Sequence, residues 1–323
     1  MCAWRGCQTA EGEGLALSAE CQYGFGMKVP ERNARPSVPT GGVSRRATPE
    51  DGATARALQP VRTAGRLEVR YIFADGATRI DALTEYGGYR LRFPTTHAAH
   101  IESSQINSGG GVVGGDSLDV TLHVGAGATA VHSTATAERI YRSIGPPARM
   151  NLVLQLQDGA RLDWLPQEAI LYSGARLHRR FDVDMAPDAR LLMAEIVVFG
   201  RVAHCEVPGM GELRDHWRIR RGGRLVFAEA VRLDGHVADI LARPAVAGGA
   251  RSTGIVVAVS PDAEDRLGAV RAALGGARSD WGASAWNGLL IARFLGTPED
   301  VRRDIIRAVE VLAGRAMPRT WMT

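Results

Sequence analysis

The sequence contains almost no lysine, which argues against a nucleic-acid partner although the chain is positively charged. Lys28 is the only lysine among 323 residues, although the formal net charge is +4 at pH 7. Arginine supplies the rest of the positive charge and is scattered among acidic residues rather than clustered. Nucleic-acid-binding proteins concentrate basic residues on one face or in one run. We therefore expect a solvated surface of mixed charge and no nucleic-acid partner.

Long apolar runs are also missing. The chain has no run of eighteen apolar residues, which is about the length that a membrane-spanning helix needs. The first thirty residues contain Arg5, Glu11, Glu13 and Glu20 and lack the sustained apolar core of a secretory signal. We therefore expect no membrane partner and no secretion.

Cysteine is scarce, and its spacing does not indicate a metal site. The four cysteines are Cys2, Cys7, Cys21 and Cys205, and no two of them form a CxxC pair. Free thiols of this kind are typical of a reducing compartment. The sequence therefore predicts a cytoplasmic protein.

Residues 1–58 differ in composition from the rest of the chain. The stretch "ERNARPSVPTGGVSRRATPEDGATARALQP" contains four prolines and few large apolar side chains. Such a segment cannot bury enough apolar surface to offset the entropy lost on ordering. We predict a disordered N-terminal extension over residues 1–58 and a β domain over residues 59–323.

The remainder of the chain is predicted to be mainly β. Three segments alternate apolar and polar residues with the period of a strand. The apolar residues that share a face are Leu67, Val69, Tyr71 and Phe73 in "RLEVRYIF", Leu118, Val120, Leu122 and Val124 in "SLDVTLHV", and Met150, Leu152, Leu154 and Leu156 in "MNLVLQLQ".

Two α-helices are predicted, both near the C-terminus. Ser260-Pro261-Asp262 precedes "AEDRLGAVRAAL", and Thr297-Pro298-Glu299-Asp300 precedes "VRRDIIRAVEVLAG", which ends at Gly314. A capping side chain, a proline at the first helical position and early acids are the expected start signals of a helix.

A turn followed by a strand recurs with a period of about thirty residues, which indicates stacked structural units. The repeats begin at Val124, Leu156, Met185 and, more loosely, Arg220. The predicted fold is therefore a stacked or spiralling assembly of β-strands with two C-terminal helices packed on it.

Each repeated turn is followed by a short segment that begins with glutamate. These residues are Glu138, Glu168, Glu195 and Glu229. One acid in each layer is consistent with an acidic track through the stack. It is equally consistent with exposed acids on strands or turns.

The stretch "QINSGGGVVGGDSLDVTLHVGAG" raises the question of a phosphate-binding loop. Gly110 and Gly115 have the spacing of a Walker motif, but Asp116 stands where the motif has lysine. A strand pattern follows, whereas phosphate loops lead into a helix. The glycines instead predict a crowded crossing of backbone between strands.

Catalytic motifs are absent from the sequence. It contains no HxH, HExxH or GxSxG pattern, which metal hydrolases and serine hydrolases typically carry. His204, Cys205 and Glu206 are adjacent, but on a strand their side chains alternate between opposite faces. The residues favour a binding or scaffold protein over an enzyme.

Several ordered blocks of the sequence resemble one protein family. They are "NSGGGVVGGDSLDVTLHVGAGATAVHSTATAERIYRS", "WLPQEAILYSGARLHRRFDVDM", "AEIVVFGRVAHCE", "DHWRIRRGGRLVFAE" and the terminal "MPRTWMT". Together they resemble the urease accessory protein family UreD, also called UreH, from about Leu58 to the C-terminus.

The resemblance implies a function in urease maturation rather than catalysis. It implies a β-rich, helically stacked fold with two helices, and binding of the nickel-free urease apoprotein together with UreF and the GTPase UreG. Nickel and carbon dioxide then reach the urease active site. No tightly bound cofactor is expected, and contact with Ni²⁺ is expected to be transient.

Three acids are candidates for a transient nickel path. We predict that Asp116, Glu168 and Glu195 face a water-filled interior path that passes nickel. Carboxylates suit such transit, because oxygen ligands hold nickel less tightly than imidazole or thiolate and release it readily. Glu138 and Cys205 stand where the family commonly has other residues. The alternative to a maturation scaffold is a stand-alone metal-dependent hydrolase on a β scaffold.

Overall fold

The structure is a computed structural model, and it describes residues 62–95 and 98–322 of the chain. The predicted disordered extension, residues 1–58, lies outside the described residues. The described residues form two β-sheets and three α-helices, which confirms the mainly β fold.

The first sheet has seven strands. They are β1 (Ala64–Ala74), β2 (Ala77–Tyr86), β5 (Ser117–Val124), β8 (Ala148–Leu156), β11 (Arg176–Met185), β13 (Met210–Arg221) and β14 (Arg224–His236). Their order is β14-β13-β11-β8-β5-β1-β2. The five central strands are parallel, and the two edge strands β2 and β14 pair with them antiparallel.

The second sheet has ten strands. They are β3 (Tyr89–Arg92), β4 (Ile101–Asn107), β6 (Thr129–Thr134), β7 (Glu138–Ile140), β9 (Arg161–Leu165), β10 (Ala169–Leu171), β12 (Arg190–Phe199), β15 (Ser252–Val259), β16 (Asp280–Trp286) and β17 (Leu289–Gly296). The main path runs β16-β17-β15-β12-β9-β6-β4-β3, while β10 pairs with β12 and β7. Strands β4, β6, β9 and β12 are parallel to one another.

Stacked layers link the two sheets, as the repeat period predicts. In each layer a strand of the first sheet passes through a short turn into a strand of the second sheet: β5 into β6, β8 into β9, and β11 into β12. The repeat positions Val124, Leu156 and Met185 lie in register with one another across these strands. Because equivalent residues of successive layers are adjacent, each layer buries its apolar face against the next.

The fourth predicted repeat, which begins at Arg220, is wrong. Strand β13 does not pass into the second sheet there but turns back as β14 within the first sheet. Gly222 and Gly223 both have positive φ, 56° and 76°. Two such residues in succession favour a tight hairpin turn over a crossing between sheets. The antiparallel strand β14 therefore ends the series of parallel layers.

Two apolar cores flank the second sheet. One fills the space between the two sheets, and the other lies between the second sheet and the C-terminal helices. Strand β12 contributes to both, with Leu191 and Met193 in the first core and Leu192 and Ala194 in the second. Its nearly continuous apolar sequence is what a strand buried on both faces requires.

The three predicted strand faces are buried with one exception. Phe73 is 51% exposed, whereas Tyr71 on the same predicted face is fully buried. The pairing of β1 with β5 ends at Tyr71 and Val124. Beyond that point β1 has only the edge strand β2 as a neighbour, so Phe73 lies outside the core.

The three helices are α1 (Val237–Ala242), α2 (Leu267–Ala273) and α3 (Pro298–Ala313). The prediction for α3 is confirmed: Thr297 Oγ1 accepts a hydrogen bond from the Asp300 amide at 3.2 Å, and Gly314 ends the helix at a φ of 69°. Helix α1 has no predicted counterpart. Among the described residues, no helix is long and apolar enough to cross a membrane.

Helix α2 is shorter than predicted. Ser260 does not cap it: the Ser260 hydroxyl donates a hydrogen bond to Asp262 Oδ1 at 2.8 Å, and no side chain caps the start of α2. A 3₁₀ turn over Glu264–Arg266 follows, and α2 begins only at Leu267. Gly268 in its first turn adds a residue of low helix propensity.

The glycine-rich stretch forms the crowded crossing that the sequence predicts. A Cβ on Gly111 would lie 2.3 Å from Tyr141 Cε2, and a Cβ on Gly114 would lie 1.8 Å from Ser143 Oγ. Neighbouring chain therefore passes directly over these glycines. Glycine is required because any side chain would occupy the space of the adjacent layer.

We expect Gly114→Ala to lower the free energy of unfolding by about 1–3 kcal/mol, because the added methyl group overfills a packed crossing. Its Cβ would also lie 2.7 Å from the Pro146 carbonyl oxygen. The control is Gly268→Ala in α2, where the new Cβ has no atom within 4 Å apart from the neighbouring residues and backbone of its own helix. Urea unfolding of both variants checks the prediction, which is contradicted if the two variants are equally stable.

Candidate functional site

Asp116 closes the turn that joins the glycine-rich stretch to β5. Its Oδ1 accepts a hydrogen bond from the Thr63 amide at 2.8 Å, and its Oδ2 accepts one from the Val113 amide at 2.9 Å. Only 8% of the residue is exposed. The carboxylate therefore ties the start of β1 to the turn before β5, and both of its oxygens already accept backbone hydrogen bonds.

Glu168 lies just before β10 and faces the C-terminal helices. Its Oε1 accepts a hydrogen bond from Arg302 Nη1 of α3 at 2.6 Å. The same guanidinium lies 4.6 Å from the centre of the Trp321 ring and donates to the Trp321 carbonyl oxygen at 2.8 Å. Glu168 thus orients an arginine that holds the C-terminal segment against the second sheet.

Glu195 lies in the middle of β12 and faces the space between the sheets. Its Oε2 accepts a hydrogen bond from Arg179 Nη1 of β11 at 2.6 Å. Its Oε1 accepts one from Trp164 Nε1 at 2.7 Å. Arg179 also donates to both oxygens of Asp215 on β13. This cluster links three strands by charge across the two sheets.

The structure does not bring the three predicted acids together. Glu168 bonds to a helix on one face of the second sheet, whereas Glu195 bonds to the first sheet on the opposite face. Asp116 lies at the start of β5 in the first sheet. In the part of the chain that the structure describes, no group of three or more His, Cys, Asp or Glu residues could hold a metal ion. The nickel path through these acids stays a prediction.

The other repeated acids also have partners. Glu138 Oε1 accepts a hydrogen bond from Asn107 Nδ2 at 2.9 Å, and Glu229 Oε1 accepts one from Arg293 Nη1 at 2.8 Å. Glu229 lies within β14, outside the parallel layers. The adjacent His204, Cys205 and Glu206 lie on a 3₁₀ turn and the residues after it rather than on a strand, and Glu206 pairs with Arg201.

A row of buried polar side chains lies between the sheets, and the sequence patterns predict only one of its members, Glu195. Its members are Ser103, Gln105, His132, Glu195, Arg179 and Asp215, which we call the buried polar row. The sequence does contain a signal for this row: polar residues stand at positions where the alternation of apolar and polar residues along a strand predicts an inward, apolar side chain. Glu195 alone is also marked by the repeat.

His132 occupies the centre of the buried polar row. Its ring stacks on Trp164 with 4.5 Å between centroids, and its Nδ1 lies 3.1 Å from Ser103 Oγ. Burial lowers the pKa of His132 to about 3, so the imidazole is neutral at physiological pH. Trp164 connects it to Glu195, to which the indole donates.

Two buried atoms of the row have no protein partner. His132 Nε2 and Gln105 Oε1 make no hydrogen bond with any residue that the structure describes. An unpaired buried polar atom costs free energy, and ordered internal water is its usual partner. The row therefore brings a neutral imidazole, a carboxylate and an amide oxygen into the interior between the two sheets.

The described part of the chain matches a known protein family over almost its whole length. A model described as the UreD urease accessory protein matches residues 63–322. The chain belongs to the UreD family of urease accessory proteins. The resemblance stated from the sequence is therefore confirmed, and the alternative of a metal-dependent hydrolase is not supported. The UreD family is one of accessory proteins and not of catalysts.

Curated UreD relatives match across nearly their whole length. Urease accessory protein UreD of Azorhizobium caulinodans is 44% identical over 261 residues, which cover 80% of this chain and 96% of that relative. The protein of the same name from Methylobacterium sp. is 48% identical and covers 78% of this chain and 92% of its own length. That of Xanthobacter autotrophicus is 42% identical and covers 88% and 99%.

In this UreD-family chain, Glu138 should make stability depend on pH. Burial raises the pKa of Glu138 from 4.5 to about 7, against the opposing effect of the Asn107 hydrogen bond. The folded state therefore binds the proton more tightly than the unfolded state. The stabilisation is complete below pH 4.5 and is lost as pH rises to 7, by up to about 3 kcal/mol.

We expect Glu138→Gln to remove this dependence. The difference in unfolding free energy between Glu138→Gln and wild type should increase as pH rises through this window and stay constant above it. Urea unfolding across the pH range measures that difference, with the exposed Glu299→Gln of α3 as the matched control. A difference that does not change with pH contradicts the prediction.

Proposed function

We propose that this UreD-family chain is a cytoplasmic maturation scaffold for urease. It binds the nickel-free urease apoprotein together with UreF and UreG, and it supports insertion of nickel into the urease active site. The observation that carries this proposal is the family match over residues 63–322. The chain is also 40–48% identical to relatives named as urease accessory proteins, which supports the proposal.

The chain's own chemistry is consistent with a scaffold. Asp116 and the four glutamates that the repeat singled out are bonded to backbone amides, arginine, tryptophan or asparagine. A scaffold needs persistent surfaces for its partners, and the stacked layers supply rigid strands from which loops project.

We expect the full chain to form a stable complex with UreF and, through it, with UreG and apo-urease. A permanent partner surface is more apolar than a free one, so the chain should be poorly soluble when produced alone. Co-expression with UreF followed by size-exclusion chromatography measures complex formation. If the chain and UreF elute as two separate, well-behaved peaks at micromolar concentration, the proposal is contradicted.

We also propose that nickel, as cargo, passes through this chain, with Asp116, Glu168 and Glu195 as the acids it meets. Among these acids, Glu195 lies in the interior between the sheets, in the same buried polar row as His132. Any cation that reaches Glu195 competes with Arg179 for the carboxylate. Such competition is consistent with transit rather than storage.

Replacing both Glu168 and Glu195 with glutamine tests the nickel path. The double variant should still assemble with UreF and apo-urease but activate less urease at limiting nickel, because it lacks the two charges. Glu212→Gln is the matched control, since Glu212 is an ion-paired acid on β13 outside the predicted path. Assembly is measured first, because Glu195→Gln also weakens the pairing of Arg179. Full activation by an assembled double variant contradicts the path.

A further inference from the structure

We propose that one end of the layered stack is a docking site for a partner protein segment that presents a carboxylate beside an apolar side chain. The site is an open cavity of about 660 Å³. Its walls include Tyr141, Arg142, Tyr172, Arg201, Glu206 and Met210, and we call it the loop pocket. None of these residues belongs to the buried polar row or to the predicted nickel path.

Loops from three successive layers build the loop pocket. The Ser143 amide donates a hydrogen bond to the Gly174 carbonyl oxygen at 2.9 Å, and the Gly174 amide donates to the Met210 carbonyl oxygen at 2.8 Å. These bonds extend the register of the parallel strands into the loops. The pocket is therefore held by the rigid stack and is formed before a partner arrives, which lowers the entropic cost of binding.

The pocket and its loops expose unusually apolar surface. Ile144 is 87% exposed, Val207 is 67% exposed and Met210 is 64% exposed. Inside, the rings of Tyr141 and Tyr172 meet edge to face with centroids 5.1 Å apart. Tyrosine, methionine and arginine are enriched where proteins bind proteins, and neighbouring exposed apolar side chains mark such sites.

The charges of the pocket favour an acidic partner. Arg201 pairs with Glu206 at 3.1 Å and lies over the Tyr172 ring, so these two charges compensate each other. Arg142 is exposed, and no carboxylate among the described residues forms an ion pair with it. An uncompensated guanidinium beside an apolar wall is complementary to a carboxylate that is next to an apolar side chain.

Gly174 leaves room for the side chain of Arg142. A Cβ on Gly174 would lie 2.7 Å from Cγ of Arg142, so the arginine side chain crosses the space that a larger residue would fill. Gly174 also has a φ of +81°, which disfavours other residues. The aliphatic part of the Arg142 side chain therefore packs against Gly174 in the wall of the pocket.

This inference rests on the proposed function for the choice of partners, which are UreF, UreG and apo-urease. The full chain is tested with Arg142→Glu and with Met210→Glu, and each variant's affinity for each partner is measured. Both residues are exposed, so folding should persist, and thermal unfolding checks it. Two exposed residues of the first sheet give the matched controls, Arg218→Glu and Leu225→Glu.

We expect both pocket variants to lose roughly thirtyfold in affinity for one of the three partners, as for a hot-spot residue. The controls should stay within about threefold, as for a residue outside an interface. Binding by wild type should weaken with added salt more steeply than binding by Arg142→Gln, because the variant lacks the charge pair.

The outcomes separate this inference from the proposed function. If wild type binds a partner and the pocket variants bind it equally well, the docking site is overturned and the proposed function stands. If wild type binds none of the three partners, both are overturned. If the controls lose as much affinity as the pocket variants, the docking site is overturned as well, because the effect is then not specific to the loop pocket.

Discussion

Strand β12 lies between the two apolar cores, and the rest of the structure depends on both of these cores being filled. Its residues alternate between the core that faces the first sheet and the core that faces the helices. Each apolar face must be covered, because exposing either would cost hydrophobic free energy along the whole strand. The first sheet covers one face, and α3 packs over the other. The arrangement of first sheet, second sheet and C-terminal helices therefore follows from this one strand.

The same constraint explains why the acid of β12 needs partners. Glu195 occupies an inward position on β12 and is only 4% exposed, so its charge requires compensation inside the protein. Arg179 provides it from the opposite sheet and is in turn balanced by Asp215. The result is a charged cluster that joins the sheets within an apolar core. It also brings His132 and Trp164 into one polar environment with a carboxylate.

The two ends of the stack differ in character. At one end, the chain passes from the first sheet to the second through short turns that repeat closely. At the other end, longer connections return to the first sheet and form the loop pocket. Loops on a rigid scaffold are where binding residues concentrate. Variation among layers at the second end therefore changes the surface of the protein without disturbing the register of its strands.

Much of the fold follows from local patterns in the sequence. Alternating residues define β5 and β8 because a strand exposes opposite faces in turn, and Thr297 and Gly314 define the ends of α3 through contacts within a few residues. The repeat at Val124, Leu156 and Met185 determined the stacking and its register. The resemblance to the UreD family likewise rested on ordered blocks of sequence.

Other features depend on contacts between distant residues, and only the tertiary structure decided them. The sequence suggested four equivalent layers, but the glycine pair at 222–223 turned the chain back within the first sheet. It grouped Glu168 with Glu195, yet the two side chains face opposite sides of the second sheet. Each is bonded to an arginine far away in the chain or on another strand. Residue spacing determines position along a strand, whereas the partner of a charge is set by which elements pack against each face.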